Sequence, residues 1–278
     1  MTDYLKNEFD FESDELLEVL DEVPLWSAPF GIKLLERVKL RKNIKALDIG
    51  FGAGFPLTEI AMRLGPSSKV YGIDPWEAAS RRVKKKLKVY GISNVELLNG
   101  VCEELPIEAN QIDLLTSNNG INNVSDLDKA LSECARVAKP GAQFIQTVNL
   151  NTTMTEFYET LEKCLLNIGA GNEVETIRAH IYSKRKPLQE FTKRIEQSGF
   201  EVTDVSEHKF QYTFMDGTAM LNHYFIQLAF LPDWKNLVHE KQREDIFRSV
   251  ELELNRIAEQ NGSVKLSVPF VVIDSIKR

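Results

Sequence analysis

The chain has 278 residues, of which 43% are hydrophobic and 27% charged, and a formal net charge of -7. That composition suits a soluble globular protein. The acidic balance argues against non-specific binding to nucleic acid or to an anionic membrane surface. No apolar run approaches the roughly 20 residues of a membrane span. The acidic start, "MTDYLKNEFDFESDELLEVL", lacks the basic and apolar regions of a signal peptide, so a cytoplasmic protein is expected. Cys102, Cys134 and Cys164 lie far apart with no CxxC pair, and His180, His208, His223 and His239 show no metal spacing. No metal site or disulfide frame is readable from them.

In chain order, residues 1–43 read as a helical arm. Ser13 is a suitable N-cap, and Pro24 is expected to end the first helix. Trp26 and Phe30 follow closely. From residue 44 strands and helices alternate. "IKALDIG" is a short buried strand, and "FPLTEIAMRLG" a helix with Pro56 in its first turn and Gly65 as its stop. "KVYGID" is the second strand. "WEAASRRVKKKLKVYG" is a helix whose basic run spreads over solvated faces, with Val83, Leu87 and Tyr90 expected inward. "VELLNG" and "IDLLTSN" are two more strands. "SDLDKALSECARVAKPG" is a helix with Ser125 as its cap, and "AQFIQTVNL" a fifth strand. This alternation predicts an α/β fold, a doubly wound parallel sheet covered by helices on both faces.

After Leu150 the chain reads as helical to Gly199. "EVTDVSEHKFQYTF" reads as a sixth strand, followed by two helical stretches, and "SVKLSVPFVVIDSIKR" as a last strand. The expected organisation is an N-terminal helical arm at 1–43, a core at 44–214, a helical insertion acting as a lid at 215–262, and the core's last strand at 263–278.

The chemistry concentrates in "KALDIGFGAGFPLTEIA", where Gly50, Gly52 and Gly54 stand behind Asp48. A glycine-rich turn between a strand and a helix collects main-chain N–H groups at one point and lets a ligand come close to the backbone. An acid at the end of the next strand, here Asp74, suits ribose hydroxyls. A nicotinamide or flavin dinucleotide would want glycine where this chain has Phe55, and would sit poorly beside Asp48. A ligand with an amino-acid end and a nucleoside end, S-adenosylmethionine, fits both acids.

These segments together resemble the class I S-adenosylmethionine-dependent methyltransferases, in particular the type 11 group that includes the ubiquinone and menaquinone biosynthesis enzymes. "LDIGFGAG", "GIDPW", "NGVCEELPI", "IDLLTSNNGINNV" and "ECARVAKPGAQF" match the group's segments in order. The resemblance implies a Rossmann-like sheet of seven strands, the last antiparallel. It also implies S-adenosylmethionine held by Asp48, Gly50, Phe51, Gly52, Gly54, Asp74, Pro75, Trp76, Cys102, Glu103 and Asn118. Val101 stands where an acid often meets the adenine, and Asn122-Asn123 where a histidine pair often stands.

The expected activity is methyl transfer to a small organic acceptor in an enclosed pocket, with no nucleic-acid or membrane partner. Trp26, Phe30, Asn119, Asn122, Tyr158, His223 and Tyr224 are the candidates to line that pocket. No catalytic residue is named by the sequence, because an in-line displacement from a sulfonium needs a base only if the acceptor must lose a proton. A cofactor-binding protein without transferase activity and an NAD(P)-dependent oxidoreductase are the alternatives.

Overall fold

The structure is a computed structural model that describes residues 2–278, the side chain of Asn172 excepted. It resolves into two compact units. One, the sheet unit, comprises Asp10–Asn149, Pro187–His208 and Phe270–Arg278; the other, the helical unit, comprises Met1–Phe9, Leu150–Lys186 and Lys209–Pro269.

The sheet unit opens with α1 (Asp14–Val19) and α2 (Glu22–Arg37). Ser13 caps α1 by accepting from the Leu16 N–H. Pro24 does not end a helix as expected. It lies in the first turn of α2, where the missing N–H costs nothing, and α1 has already stopped at Val19. Then come β1 (Lys45–Ile49), α3 (Leu57–Leu64), β2 (Lys69–Asp74), α4 (Glu77–Tyr90), β3 (Val95–Asn99), β4 (Ile112–Asn118), α5 (Leu127–Val137) and β5 (Ala138–Asn149). Asp126, not Ser125, caps α5: its carboxylate accepts from the Lys129 N–H, while the Ser125 N–H is committed to Glu103. The strand β5 starts earlier than its apolar run, because "KPG" forms an irregularity between the pairs Ile112–Ala138 and Leu114–Gln143. Proline is tolerated at such a shift.

The remaining elements are α6 (Thr155–Asn167), α7 (Gly171–Lys184), α8 (Leu188–Gln197), β6 (Phe200–Phe214), α9 (Gly217–Asn222), α10 (Tyr224–Ala229), α11 (Leu231–Lys235), α12 (Arg243–Asn261) and β7 (Val264–Lys277). The stretch expected as one helix after Asp216 is three short ones, broken by extended backbone at His223 and by a turn at Phe230 ahead of Pro232.

One seven-stranded sheet runs in the order β3-β2-β1-β4-β5-β7-β6. Strands β1 to β5 pair in parallel, and β7 is antiparallel to β5 from Gln143–Ile276 to Asn149–Phe270. Leu47, Val70, Leu115, Phe144 and Ile145 are fully buried in its strands, the pattern of a sheet covered on both faces. Of the residues expected inward on α4, Val83 is buried but Tyr90 is exposed, its ring 5.6 Å from Lys86 Nζ. The basic run of α4 meets the acidic α1: Arg81 pairs with Asp14 at 2.8 Å and Lys85 with Glu18. Because β1 is flanked by β2 on one side and β4 on the other, the strand order reverses there, and a crevice opens beyond their C-terminal ends. No helix among the described residues is long and apolar enough to cross a membrane.

Candidate cofactor site

Within the sheet unit, that crevice holds a cavity of about 440 Å³, in the size range of small-molecule sites. Its floor is the turn after β1. Gly50 adopts φ +73°, and a Cβ there would lie 2.8 Å from the Gly120 Cα, so the turns after β1 and β4 can touch only because both residues lack side chains. Gly52 adopts φ +48° with nothing within 4 Å of where a Cβ would stand. Its backbone therefore faces open space into which a ligand can settle.

Asp74, at the end of β2, ties this floor to the adjoining wall. One of its oxygens accepts from the Gly52 N–H at 2.8 Å and the other from the Trp76 N–H at 2.9 Å. Burial raises the Asp74 carboxyl above its ordinary range, and the two backbone donors pull it back down. Each oxygen keeps acceptor capacity beyond these bonds.

Asp48 is 1% exposed. Its Oδ1 accepts from the Thr116 hydroxyl at 2.7 Å, but Oδ2 has no partner. Burial pushes the carboxyl up to about 7; the Thr116 bond opposes this, and the negative charge of Asp74 adds to it. A buried carboxylate oxygen without a donor calls for a cationic or hydrogen-bonding group beside it.

The other walls come from α2 and from the loops after β3 and β4. Val23, Pro24, Trp26 and Ser27 face the cavity. The Ser27 carbonyl accepts from Asn118 Nδ2 at 3.0 Å, and Asn118 Oδ1 accepts from the Thr147 hydroxyl at 2.9 Å, which fixes the Asn118 amide. Glu103 Oε1 accepts from the N–H groups of Ser125 and Asp126, pinning the loop after β4. The Cys102 and Cys134 sulfurs lie 3.6 Å apart. Trp76 spans two elements, its indole N–H donating to the Phe11 carbonyl at 2.7 Å.

Of the expected cofactor residues, Gly50, Phe51, Gly52, Asp74, Pro75, Trp76, Cys102, Glu103 and Asn118 line this cavity. Asp48 and Gly54 do not. Asp48 is buried against Thr116 instead, and the Gly54 carbonyl accepts from the Thr58 hydroxyl. Of the expected acceptor residues, Trp26 and Asn119 line it. Phe30 instead sits in the core, its ring 4.5 Å from that of Phe270. Asn122 is turned aside, its amide donating to Asn119 and Asn149. Tyr158, His223 and Tyr224 belong to the helical unit. There the Tyr158 hydroxyl accepts from Trp234 Nε1 at 3.3 Å and bonds His180 Nε2 at 3.2 Å. His223 packs on Phe214 and Tyr224 on Phe9.

The sequence pattern does not single out Val23, Ser27, Phe55 or Gly120, all of which line the cavity. Gly120 carried a signal, a glycine following two asparagines at a strand end. Ser27 carried none, since it acts through its carbonyl.

Residues 47–146 match the sequence profile of a family described as a methyltransferase domain. A demethylmenaquinone methyltransferase of Geobacillus stearothermophilus is 36% identical over 108 residues, which are 39% of this chain and 46% of that protein. The chain spans about half the length of the curated relatives it matches. Among solved structures, a SAM dependent methyltransferase from Aquifex aeolicus superposes with a TM-score of 0.52 at 25% identity, covering 71% of this chain and 92% of that one. The YcgJ protein of Bacillus subtilis gives a TM-score of 0.58 at 18% identity, covering 90% and 98%. Residues 47–146 thus carry the sequence pattern of a methyltransferase domain, and the curated relatives matched over a stretch of similar length are methyltransferases.

Proposed function

We propose that the sheet unit binds S-adenosylmethionine in this cavity and transfers its methyl group to a small organic acceptor. The observation that carries the reading is the bare Gly50–Gly52 turn lying between two buried carboxylates, one tied to the turn's own N–H and one with an unpartnered oxygen.

S-adenosylmethionine, when bound, supplies a methyl group already activated by its sulfonium charge. The protein's residues bind and orient. The open backbone at Gly52 suits the carboxylate of the amino-acid end. Asp48, which does not itself line the cavity, suits its ammonium through its charge. Asp74 has acceptor capacity left for ribose hydroxyls, and Trp76 and Val101 offer apolar surface to the adenine. Holding an acceptor in line with the methyl group contributes roughly 7–11 kcal/mol of barrier reduction. Asn118 and Asn119 are the polar residues placed to orient that acceptor, and no dedicated base is assigned.

Calorimetric titration with S-adenosylmethionine, S-adenosylhomocysteine and NADH tests the cofactor: the two adenosyl compounds bind and NADH does not. Transfer is tested with labelled methyl donor and a panel of small molecules that includes demethylmenaquinone, the acceptor named by the curated relatives. Tight NADH binding would overturn the first half of the proposal. Cofactor binding with no labelled product from any extract would overturn the second.

A further inference from the structure

The helical unit holds a buried charge whose donors lack partners. Arg185 follows the last residue of α7 and is 8% exposed. Its Nε and Nη1 are shut off from solvent and have no hydrogen-bond partner. Arginine cannot escape such a position by losing its proton. A buried, unpaired cation is among the costliest arrangements a fold can hold.

The neighbouring cations are all satisfied. Arg178 pairs with Glu175 at 2.8 Å, Lys184 pairs with Asp233 at 2.8 Å, and Lys186 lies 4.0 Å from the centre of the Tyr182 ring. Asp233 thus pairs with Lys184 and makes no hydrogen bond to Arg185 Nε or Nη1. The helix end offers a partial negative charge, yet neither Nε nor Nη1 makes a hydrogen bond.

We propose that Arg185 anchors an oxyanion-binding site in the helical unit, one that takes the phosphate or carboxylate group of a small molecule. A guanidinium matches such groups in planarity and in donor spacing, and its charge-assisted bonds are the strong class. His180 lies within the field of this charge. Burial, opposed by Asp233 and helped by Arg185 and Lys184, lowers its pKa, and its Nε2 is held by the Tyr158 hydroxyl. An anion beside Arg185 would offset that cationic field.

The test is thermal unfolding of the full chain in inorganic phosphate, acetate or chloride at matched ionic strength, with Arg185→Met and Arg185→Gln alongside. Phosphate or acetate raises the wild-type melting temperature above its value in chloride by about 2–4 °C or more. Neither variant shows the anion-specific rise, and Arg185→Met melts no lower than the wild type in chloride, since it replaces an unpaired charge by an apolar chain of similar reach. Which anion acts, tetrahedral or planar, identifies the ligand class. A magnetic-resonance titration of the His180 ring gives an independent reading: its pKa rises in the effective anion and stays put in the variants. Equal melting of the wild type in all three salts would overturn the proposal. So would variants that respond as the wild type does.

Discussion

The sheet unit and the helical unit each bury an ionisable group that lacks a full set of partners, and the two groups have opposite sign. In the sheet unit it is Asp48, 1% exposed, with one bare oxygen. In the helical unit it is Arg185, with two bare nitrogens at the end of α7. The carboxylate can respond to burial by holding its proton to higher pH, and burial raises its pKa to about 7. The guanidinium has no such escape. The same physical situation thus produces a titrating group in one unit and a demand for a counter-charge in the other.

The largest effect that would break this contrast is at Gly50. A valine there meets the Gly120 backbone at 2.8 Å and must take φ +73°, so Gly50→Val is expected to weaken adenosyl-cofactor binding by more than about 100-fold. Calorimetry reads it, and the phosphate response of the helical unit should survive if the variant folds. Asp74→Asn comes next. It replaces a charged acceptor of two backbone N–H groups, a loss of roughly 1.5–3 kcal/mol, so affinity should fall about 10- to 100-fold.

Asp48 sharpens the contrast through pH. Its pKa is raised by burial from 3.8 to about 7, so the folded state favours the protonated form. That stabilisation is complete below the unfolded value and is lost as pH rises through 7, at up to about 1.4 kcal/mol per unit in between. Urea unfolding from acid to neutral pH should show the decline, and Asp48→Asn should flatten it. A ligand ammonium beside Oδ2 favours the carboxylate, so cofactor affinity should rise as pH climbs toward 7. The smallest effect is at Trp76: Trp76→Phe loses the 2.7 Å bond to the Phe11 carbonyl and should cost about 1 kcal/mol or less in the same assay.

The sheet was legible because its strands carry compact apolar runs and its turns carry glycine where the backbone needs it. The glycine turn and Asp74 could be read as lining one crevice because a backbone open to close approach excludes side chains at fixed spacing. Ser27 could not, since a carbonyl leaves no trace in residue identity. Phe30 misled for a related reason: a helix ring near prolines looks the same in sequence whether it faces a cavity or the Phe270 ring. Tyr158 looked like a pocket residue, but its hydroxyl is already spoken for by Trp234 and His180, partners 76 and 22 residues away in the chain. Arg185 lies in an unremarkable basic run, and only its burial sets it apart.

Asp74 also bears on kinetics. By grasping the Gly52 and Trp76 N–H groups at once, it keeps the turn after β1 and the start of α4 in register before any nucleoside arrives. Association then requires no loop to fold, so the on-rate should track diffusion into the crevice and stay single-phase in stopped flow, with differences among ligands appearing in how slowly they leave.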